Sequence, residues 1–554
     1  MINCRVQDMS SPNDSVLFAT SVITMDPNKP RADAIGIRDG RIVAVGTRGE
    51  VSAALPSAEV TDLDDAVLLP GFIDAHSHPV GLGLALAPPS IDIRPFVVPT
   101  WVQVQERMIH AEEEAADGEA LFFYGLDPLL HNCEPPGSAE LDAVFGDRIV
   151  LVYNISGHAL YATSSAMAAA GVAADIADPV GGSFQRNADG SLTGRTFESG
   201  AIALVVGPLL ERFDMNPALQ IMFGYSQLAR AGITTAAELA LEAWHWPFVT
   251  ALAAEPNCPI RLAAYHVSIE AGAIEPLDSP LPEMVWKQGV KLWADGSSML
   301  GNISVSFEFI DSPVTRRAGI EANSQGAMNY SREQLRQLLD QIAPAGWQAA
   351  IHAHGDRTID VVLDSYEQAL RDHDLISTDH RWRIEHCGAM TAAQFKRAAQ
   401  LGVEVSLFPA LFFWWGDVMV GGLFSEADGA QWGKLKSAFD AGLQPSFHND
   451  GTVTPPAPLL SMQTAMTRRV HGSGTTHAPE ECVSLDQALA AYTTNPARQL
   501  SRDHDLGSIE VGKLADLVSL SHDPYQVDPE QFSETIRVLG TWLSGRRVAQ
   551  SAPE

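Results

Sequence analysis

The stretch LLPGFIDAHSHP, residues 68–79, decides how this chain folds. It predicts a short apolar strand over residues 72–75, with two histidines, His76 and His78, directly behind it. Side chains two residues apart on a strand point to the same face. Both imidazoles therefore leave one face at the carboxyl end of the strand, where α/β enzymes place their chemistry. Two neutral imidazoles held side by side make half of a metal site, although this motif alone is equally compatible with ordinary surface or core histidines.

Beyond this stretch, strand-like apolar runs alternate with good helix formers such as residues 332–344 and 391–401. Repeated strand–helix units predict a parallel sheet covered by helices. Over roughly 400 residues, with polar side chains at successive strand ends, a (β/α)8 barrel is the α/β fold that fits best. The strand candidates are RIVLVYN (148–154), GITTAAEL (232–239), IRLAAYHV (260–267), GVKLWAD (289–295), QAAIHAHGD (348–356), RWRIEHC (381–387), VEVSLFP (403–409) and LQPSFHND (443–450).

The two ends of the chain differ from the middle, because they hold short strand-like runs without helices between them. Asp39-Gly40 and Ser544-Gly545 each separate two such runs and predict tight turns. We expect residues 1–70 and 505–554 to pair into one small β-sandwich domain beside a barrel over residues 71–504.

The first part of the barrel segment is longer than one strand–helix unit requires. Residues 85–225 therefore predict an insertion that covers the mouth of the barrel. The glycine-rich run GLGLALAPPS, residues 81–90, predicts a flexible loop that leads from the first strand to a helix.

Composition narrows the class of partner. The 554 residues carry a formal net charge of −32, which argues against nucleic acid and anionic membranes and for a small-molecule substrate. No run reaches the ~18 apolar residues that span a bilayer. The five cysteines form no CxxC pair, and the first residues have no secretion signal, so we expect a reducing cytoplasm. A homodimer is the default oligomeric state.

Polar residues capable of binding metal stand at the ends of several later strand candidates. A lysine within an apolar strand is costly unless it is paired or modified, although a lysine reaching the rim of the barrel is the commoner case. A single polar residue at the end of a strand is weak evidence for a metal site. A series of such residues in chain order, after the two histidines of HxH, is hard to obtain by chance. The residues are Lys291, His352, His354, His386, His448 and Asp450.

With these motifs in hand, the chain resembles the amidohydrolase superfamily, and specifically its YtcJ-like branch, amidohydrolase family 3. The matching stretches run from near residue 20 to near residue 545, so the resemblance covers nearly the whole chain. It implies a metal-bearing (β/α)8 barrel with a β-sandwich built from both termini. The matching stretches are LLPGFIDAHSHP, GHALYATSSAM, GVKLWADGS, IHAHGDR, RIEHC and GSIEVGKLADLVSL.

The resemblance also implies a set of metal ligands. His76 and His78 would bind the more buried of two divalent ions, and His352 and His386 would bind the second. Lys291 would be carboxylated by carbon dioxide, so that its carbamate bridges both ions, and Asp450 would touch the first ion. Imidazole and carboxylate ligands favour zinc, with manganese, iron or cobalt as alternatives.

The resemblance further implies a reaction. A metal-activated hydroxide would attack a carbonyl, with Asp450 first accepting the water proton and then delivering it to the departing nitrogen. His158, within GHALYATSSAM, would hydrogen-bond the scissile carbonyl. The sequence thus predicts a metal-dependent hydrolase of a C–N bond in an amide, N-acyl or N-formyl compound.

Several residues depart from the family pattern or lie near it. His354 replaces a residue that is more often apolar, and His448-Asn449 precede Asp450 in place of a glycine and a serine. We expect His354 and His448 to face the substrate, with a purely structural histidine as the alternative for His354. The apolar cluster after the seventh strand either packs against the insertion or forms a wall for the substrate, through Phe413, Trp414 and Trp415.

Two other functions remain open from the sequence. A mononuclear deaminase of a ring compound is one, but it has no need for the bridging carbamate on Lys291. A non-catalytic binding or regulatory protein on the same barrel is the other, but it has no physical need for six metal ligands, of which Asp450 is one.

Overall fold

The computed structural model describes residues 14–179, 181–270 and 272–548. The chain begins with five strands and one helix. Asp39 and Gly40 both have positive φ, 50° and 75°, and join two antiparallel strands, which confirms the predicted hairpin. These elements are β1 (Ser15–Ile23), β2 (Arg31–Arg38), β3 (Arg41–Gly46), α1 (Arg48–Ala54), β4 (Glu59–Asp62) and β5 (Val67–Pro70).

The first barrel strand, β6 (Phe72–Ser77), leads directly into helix α2 (Pro79–Leu86). The loop predicted over residues 81–90 is therefore wrong for its first part. Glycine is tolerated in this helix because α2 packs closely on a neighbouring helix at the end of the insertion, α7 (Pro217–Arg230). An alanine Cβ at Gly83 would lie 2.0 Å from the carbonyl oxygen of Gln220.

The insertion has a six-stranded sheet of its own. The predicted strand at 148–154 forms there as β9 and takes no part in the barrel. The elements are β7 (Ile91–Asp92), α3 (Trp101–Glu114), β8 (Leu121–Leu126), α4 (Ser138–Phe145), β9 (Val150–Asn154), β10 (Ala159–Ala162), α5 (Ser164–Ala169), β11 (Ser183–Arg186), β12 (Leu192–Phe197), α6 (Glu198–Val206) and α7 (Pro217–Arg230).

The barrel confirms the predicted fold. Eight parallel strands follow one another in chain order, and β19 returns to contact β6. The other strands are β13 (Ile233–Leu241), β14 (Arg261–Val267), β15 (Val285–Trp293), β16 (Gln348–Ala353), β17 (Arg383–His386), β18 (Glu404–Leu407) and β19 (Ser446–Phe447). The helices are α8 (Trp246–Ala253), α9 (Pro313–Ala318), α10 (Arg332–Ala345), α11 (Asp356–Asp372), α12 (Ala392–Leu401), α13 (Pro409–Met419), α14 (Glu426–Ala430), α15 (Leu435–Asp440), α16 (Pro458–Thr467), α17 (Leu485–Ala490) and α18 (Thr494–Gln499).

The largest apolar core lies between the strands and the outer helices, with side chains such as Ile351, Ile359 and Val362 fully buried. A smaller core fills the inside of the barrel, where Tyr265 and Ala350 pack with Ala497. This division is the one expected when a parallel sheet is covered by helices, and it leaves the carboxyl ends of the strands free to carry polar groups.

The last elements of the chain are β20 (Leu517–Leu520), α19 (Phe532–Thr535), β21 (Val538–Leu543) and β22 (Arg546–Arg547). Strand β20 pairs with β5, so both ends of the chain share one eight-stranded sheet. Apolar side chains from both ends pack together, among them Ile35, Leu517 and Trp542. The two ends therefore form one unit as predicted, while its description as a sandwich stays a prediction.

Strand β1 changes partner along its length. Residues 15–18 pair with β4, residues 21–22 pair with β5, and the register shifts between Phe18 and Val22. A buried ion pair joins this sheet to the barrel, because Arg261 of β14 binds Asp516 with Nε–Oδ2 and Nη2–Oδ1 distances of 2.6 and 3.0 Å.

Among the helices within residues 14–548 that the structure describes, none is long and apolar enough to cross a membrane.

Candidate metal centre

His76 and His78 lie at the carboxyl end of β6, each held by a buried carboxylate. Nδ1 of His76 is 2.6 Å from Oε2 of Glu385, and Nδ1 of His78 is 3.1 Å from Oε1 of Glu238. A carboxylate can only accept, so each Nδ1 carries the proton. Each Nε2 is thereby turned toward the centre and can act as a ligand atom when it carries no proton, which is the arrangement that metal-binding histidines use.

The electrostatics around His78 favour a positive charge. Burial lowers the pKa of this imidazole, but hydrogen bonds with Asp450 and Glu238 outweigh it and raise the pKa to about 9. Burial, with the charge of Lys291 next, instead holds the pKa of His76 well below its usual range. His76 is thus a neutral donor, and the two carboxylates beside His78 create a site that attracts a cation.

Lys291 of β15 is fully buried, and its Nζ lies 3.5 Å from Nε2 of His76. Burial lowers the pKa of the ammonium to about 8, so the neutral amine is accessible near physiological pH. The structure therefore places the lysine beside the first histidine, where the sequence predicts it.

His352, His354 and His386 form a second group at the ends of β16 and β17. The ring centroids of His352 and His386 are 4.4 Å apart, and His354 stacks on His386 at 4.7 Å. Burial holds the pKa values of His352 and His386 well below their usual range, so both rings are neutral. His386 has φ +70°, a left-handed conformation that costs energy outside glycine and is typical of functional residues.

Asp450 follows β19 and faces the first group. Its Oδ1 lies 3.2 Å from Nε2 of His78 and 3.6 Å from Nε2 of His76. Burial raises the pKa of this carboxyl, but the hydrogen bond and charge of His78 outweigh it and lower the pKa below its usual value. Asp450 is therefore an anion, and its φ of +52° is a second left-handed backbone in the centre.

His448 lies beside Asp450 and is fully buried. Its ring stacks on His76 with centroids 4.5 Å apart and on Phe408 at 4.6 Å. Among the described residues, neither of its ring nitrogens has a hydrogen-bond partner. Burial lowers the pKa of His448 to about 3, so both nitrogens cannot be protonated together at neutral pH.

His158 reaches the centre from the insertion, directly before β10. Its ring is 5.2 Å from that of His352, and its Nδ1 lies 2.8 Å from Oε2 of Glu198. Burial lowers the pKa of His158, but the charge of Glu198 outweighs it and raises the pKa overall. Asn302, from the loop after β15, donates to the other oxygen of Glu198 and thereby fixes the pair.

The predicted aromatic residues of α13 make their contacts outside the group of histidines at the strand ends. Trp415 is fully buried and donates to Oδ2 of Asp127 at 2.5 Å. Trp414 packs on Phe96 and on His471, both at 4.5 Å, and Phe413 packs on Trp414 and His471. Their role in substrate binding stays a prediction, and the rings that do touch the centre are Phe408 and Trp432, the latter 5.6 Å from His354.

The donor set fits divalent metal ions. Within the part of the chain that the structure describes, three groups of residues have ligand atoms within 4.8 Å of one another: His76, His78 and Asp450; His352, His354 and His386; and His76, His386 and His448. Buried ring nitrogens of His354, His386 and His448 have no hydrogen-bond partner within the described part of the chain. Unpaired buried polar atoms are unfavourable, and imidazole with carboxylate is a ligand set that zinc and its neighbours prefer.

The carboxylates behind the histidines were not expected from the sequence. Glu385 stands two residues from Arg383 on one strand, so opposite charges share a face, and both side chains are fully buried. This i, i+2 charge pair within an apolar strand was a usable signal for Glu385. Glu238 and Asp295, at the ends of two further strands, have no such charge partner in the sequence. They therefore indicated buried carboxylates more weakly.

The chain is similar to known proteins over almost its whole length. The model of the amidohydrolase family matches residues 59–549. An N-substituted formamide deformylase of Arthrobacter pascens is 28% identical over 552 residues, which cover 97% of this chain and 98% of that protein. The putative amidohydrolase YtcJ of Bacillus subtilis is 25% identical over 557 residues, covering 96% of this chain and 98% of that protein.

A solved structure shares the fold. The crystal structure of an uncharacterized metal-dependent hydrolase from Pyrococcus horikoshii superposes with a TM-score of 0.71 at 21% identity. The match covers 94% of this chain and 99% of that one. At this level of identity the likeness concerns the fold alone.

Proposed function

Because this chain belongs to the amidohydrolase family, we propose that it is a hydrolase that uses two divalent metal ions to cleave the C–N bond of an N-formyl or related N-acyl compound. The observation that carries the proposal is the convergence of His76, His78, Lys291, His386 and Asp450 at one end of the barrel, with Lys291 3.5 Å from His76. The formamide deformylase of Arthrobacter pascens, similar over the full chain, supports the choice of bond.

Two sets of residues would hold the ions. His76, His78 and Asp450 would hold the first, and His352 and His386 the second. Lys291, once carboxylated, would offer a carbamate oxygen to each. When bound, the ions supply Lewis acidity to a water molecule and to the substrate carbonyl.

The chain's own residues would handle the protons. Asp450, an anion beside His78, accepts a proton from the attacking water and then delivers it to the departing nitrogen. His158 donates a hydrogen bond to the carbonyl oxygen, and Glu198 keeps the His158 ring in place because it accepts from Nδ1. Hydrolysis of a formamide then yields formate and an amine.

An apolar group on the substrate nitrogen suits the surroundings. Phe408 and Trp432 lie against His448 and His354, and both belong to an apolar cluster with Leu129, Ile155 and Met299. Apolar side chains around a few polar groups are typical of small-molecule sites. We therefore expect N-alkyl and N-aryl formamides to be better substrates than charged N-acyl amino acids.

The position of Lys291 favours two ions over one. A mononuclear deaminase would bury this lysine without using it, at a desolvation cost that a carbamate bridge avoids. Metal analysis distinguishes the two, since we expect about two ions per chain. We further propose zinc as the metal, a cytoplasmic location and a homodimer.

The test of the proposal is hydrolysis by zinc-loaded protein of a panel of N-substituted formamides, the matching acetamides, cyclic amides and esters. We expect release of formate from the formamides. Asp450→Asn should lower kcat by roughly 10²-fold or more, because the proton acceptor is lost. An unchanged kcat in that variant would contradict the role of Asp450, and a loaded protein inactive on the whole panel would favour a binding protein.

A further inference from the structure

We propose that His448 is a metal ligand. Together with His76 and His386 it forms a site of three imidazoles, and this site binds the metal ion when the protein carries only one. This inference rests on the proposed metal-dependent function, because it concerns the same centre. It adds a ligand that the two-ion arrangement does not use, and it gives the loading of the centre an order.

The geometry of the three rings supports the position. The ring centroid of His448 lies 4.5 Å from that of His76 and 5.0 Å from that of His386. The ring centroids of His76 and His386 are 4.4 Å apart. One nitrogen from each ring lies within 4.8 Å of the others. Nitrogens that share a zinc ion lie roughly 3.4 Å apart, so small ring rotations bring all three into range.

The state of His448 requires a partner for its nitrogens. Its side chain is fully buried, and neither nitrogen bonds to any other described residue. A buried imidazole whose nitrogens have no partners is unfavourable, because its polar atoms have lost their contacts with water. Phe408 also packs against the ring, with centroids 4.6 Å apart. A metal ion between the three rings would satisfy a nitrogen that the protein otherwise leaves unpaired.

The other histidine group is a weaker candidate for the same role. His354 stacks on Trp432, and a Cβ at Gly388 would lie 2.7 Å from its Nδ1. That nitrogen therefore faces the backbone after β17 and not the middle of the centre. His448, in contrast, stacks directly on His76, whose Nε2 is the free ligand atom.

Sharing of ligands sets the order of loading. Nδ1 of His76 is bonded to Glu385, so this ring offers one nitrogen. An ion on His76, His386 and His448 therefore excludes an ion on His76, His78 and Asp450. One ion is held by three imidazoles, and binding of a second moves the first toward His78 and Asp450, where His448 is no longer needed.

The experiment uses full-length protein stripped with a chelator and reloaded with Co²⁺. X-ray absorption counts the imidazoles per ion at one and at two equivalents, and equilibrium dialysis gives the Kd of the first ion. We expect three imidazoles at one equivalent. His448→Phe keeps the stacking but removes the nitrogens, so the count should fall to two and the first Kd should rise roughly tenfold or more.

The matched variant is His471→Phe, at a histidine that packs on Phe413 and Trp414 outside the centre, which should leave the count at one equivalent and the first Kd unchanged. A count of two imidazoles per ion in the wild-type protein at one equivalent of Co²⁺ would overturn the proposal. This measurement uses no variant, so it does not depend on whether a variant folds. The same effect from His471→Phe, or no effect from His448→Phe, would also overturn it. Failure of the proposed function would be seen in a different measurement. The protein would then bind Co²⁺ as expected but hydrolyse none of the compounds of the substrate panel.

Discussion

At the residue scale, the centre depends on how carboxylates orient the histidines. The sequence indicated which imidazoles meet, because each stands at the end of a barrel strand and those ends converge. It could not indicate the acids behind them, since the pairing of Glu385 with His76 joins residues that are far apart in the chain. His448 shows the same limit, because only coordinates reveal that its nitrogens have no partner.

Glu198 offers a test of such orientation. It has φ +63°, binds Nδ1 of His158 at 2.8 Å and lies in the insertion. Glu198→Gln removes the charge that fixes the ring and its tautomer, so kcat/KM on a formamide should fall roughly 10–100-fold while the Tm stays within the wild-type range. The matched control is Glu211→Gln, an exposed acid of the same region, which should behave as wild type. Equal kcat/KM values for both variants would remove Glu198 from the site.

At the scale of elements, helix α2 explains where the sequence misled. Its glycines predict a loop, because glycine is unfavourable in helices. In the fold they allow α2 to approach α7: a Cβ at Gly83 would meet Gln220, and one at Gly224 would meet the carbonyl oxygen of Pro79 at 2.3 Å. Tertiary contact thus overrides local propensity, and no single-sequence pattern contains that contact.

Gly83→Ala should therefore be damaging although alanine is the better helix former. The added Cβ meets backbone atoms that cannot move aside, so we expect a loss of about 1–3 kcal/mol in the free energy of unfolding. Because α2 begins directly after His78, the affinity for the ion that His76, His78 and Asp450 would hold should fall as well. Gly49→Ala in α1, where a Cβ meets no atom within 4 Å, is the control and should be neutral or stabilising. Urea unfolding compares the two, and a neutral Gly83→Ala would refute the close packing.

At the scale of the whole molecule, the barrel, its insertion and the terminal sheet are joined by buried polar contacts. The (β/α)8 barrel was predictable because its strands follow one another in the chain. The pairing of β5 with β20 has no such local signal, since nearly the whole barrel lies between them. The insertion was foreseen as extra length, but its separate sheet was not, and one of its strands resembled a barrel strand.

Asp127 of the insertion links it to α13 through Trp415, and this link should depend on pH. Burial raises the pKa of the Asp127 carboxyl from 3.8 to about 6. Between those values the folded protein keeps a proton that the unfolded chain has lost, so stability falls as the pH rises through this window. Relative to Asp127→Asn, which cannot ionise, wild type should lose up to about 3 kcal/mol.

Urea unfolding of both proteins between pH 4 and 7 measures this difference. Asp117→Asn, at an exposed position of the insertion, is the control and should show a constant difference from wild type. If the difference in the free energy of unfolding between Asp127→Asn and wild type were also constant between pH 4 and 7, the Asp127 carboxyl would be ionised throughout this range. The contact with Trp415 would then not be sensitive to acid.

The terminal sheet has a consequence for biosynthesis. Strand β5 emerges from the ribosome early, but its neighbour β20 is made only after the whole barrel. Until residues 517–520 arrive, one edge of β5 is open to pairing with other nascent chains. Premature termination near the end of the message would thus yield chains that associate through this edge, even though every residue of the catalytic barrel has already been translated.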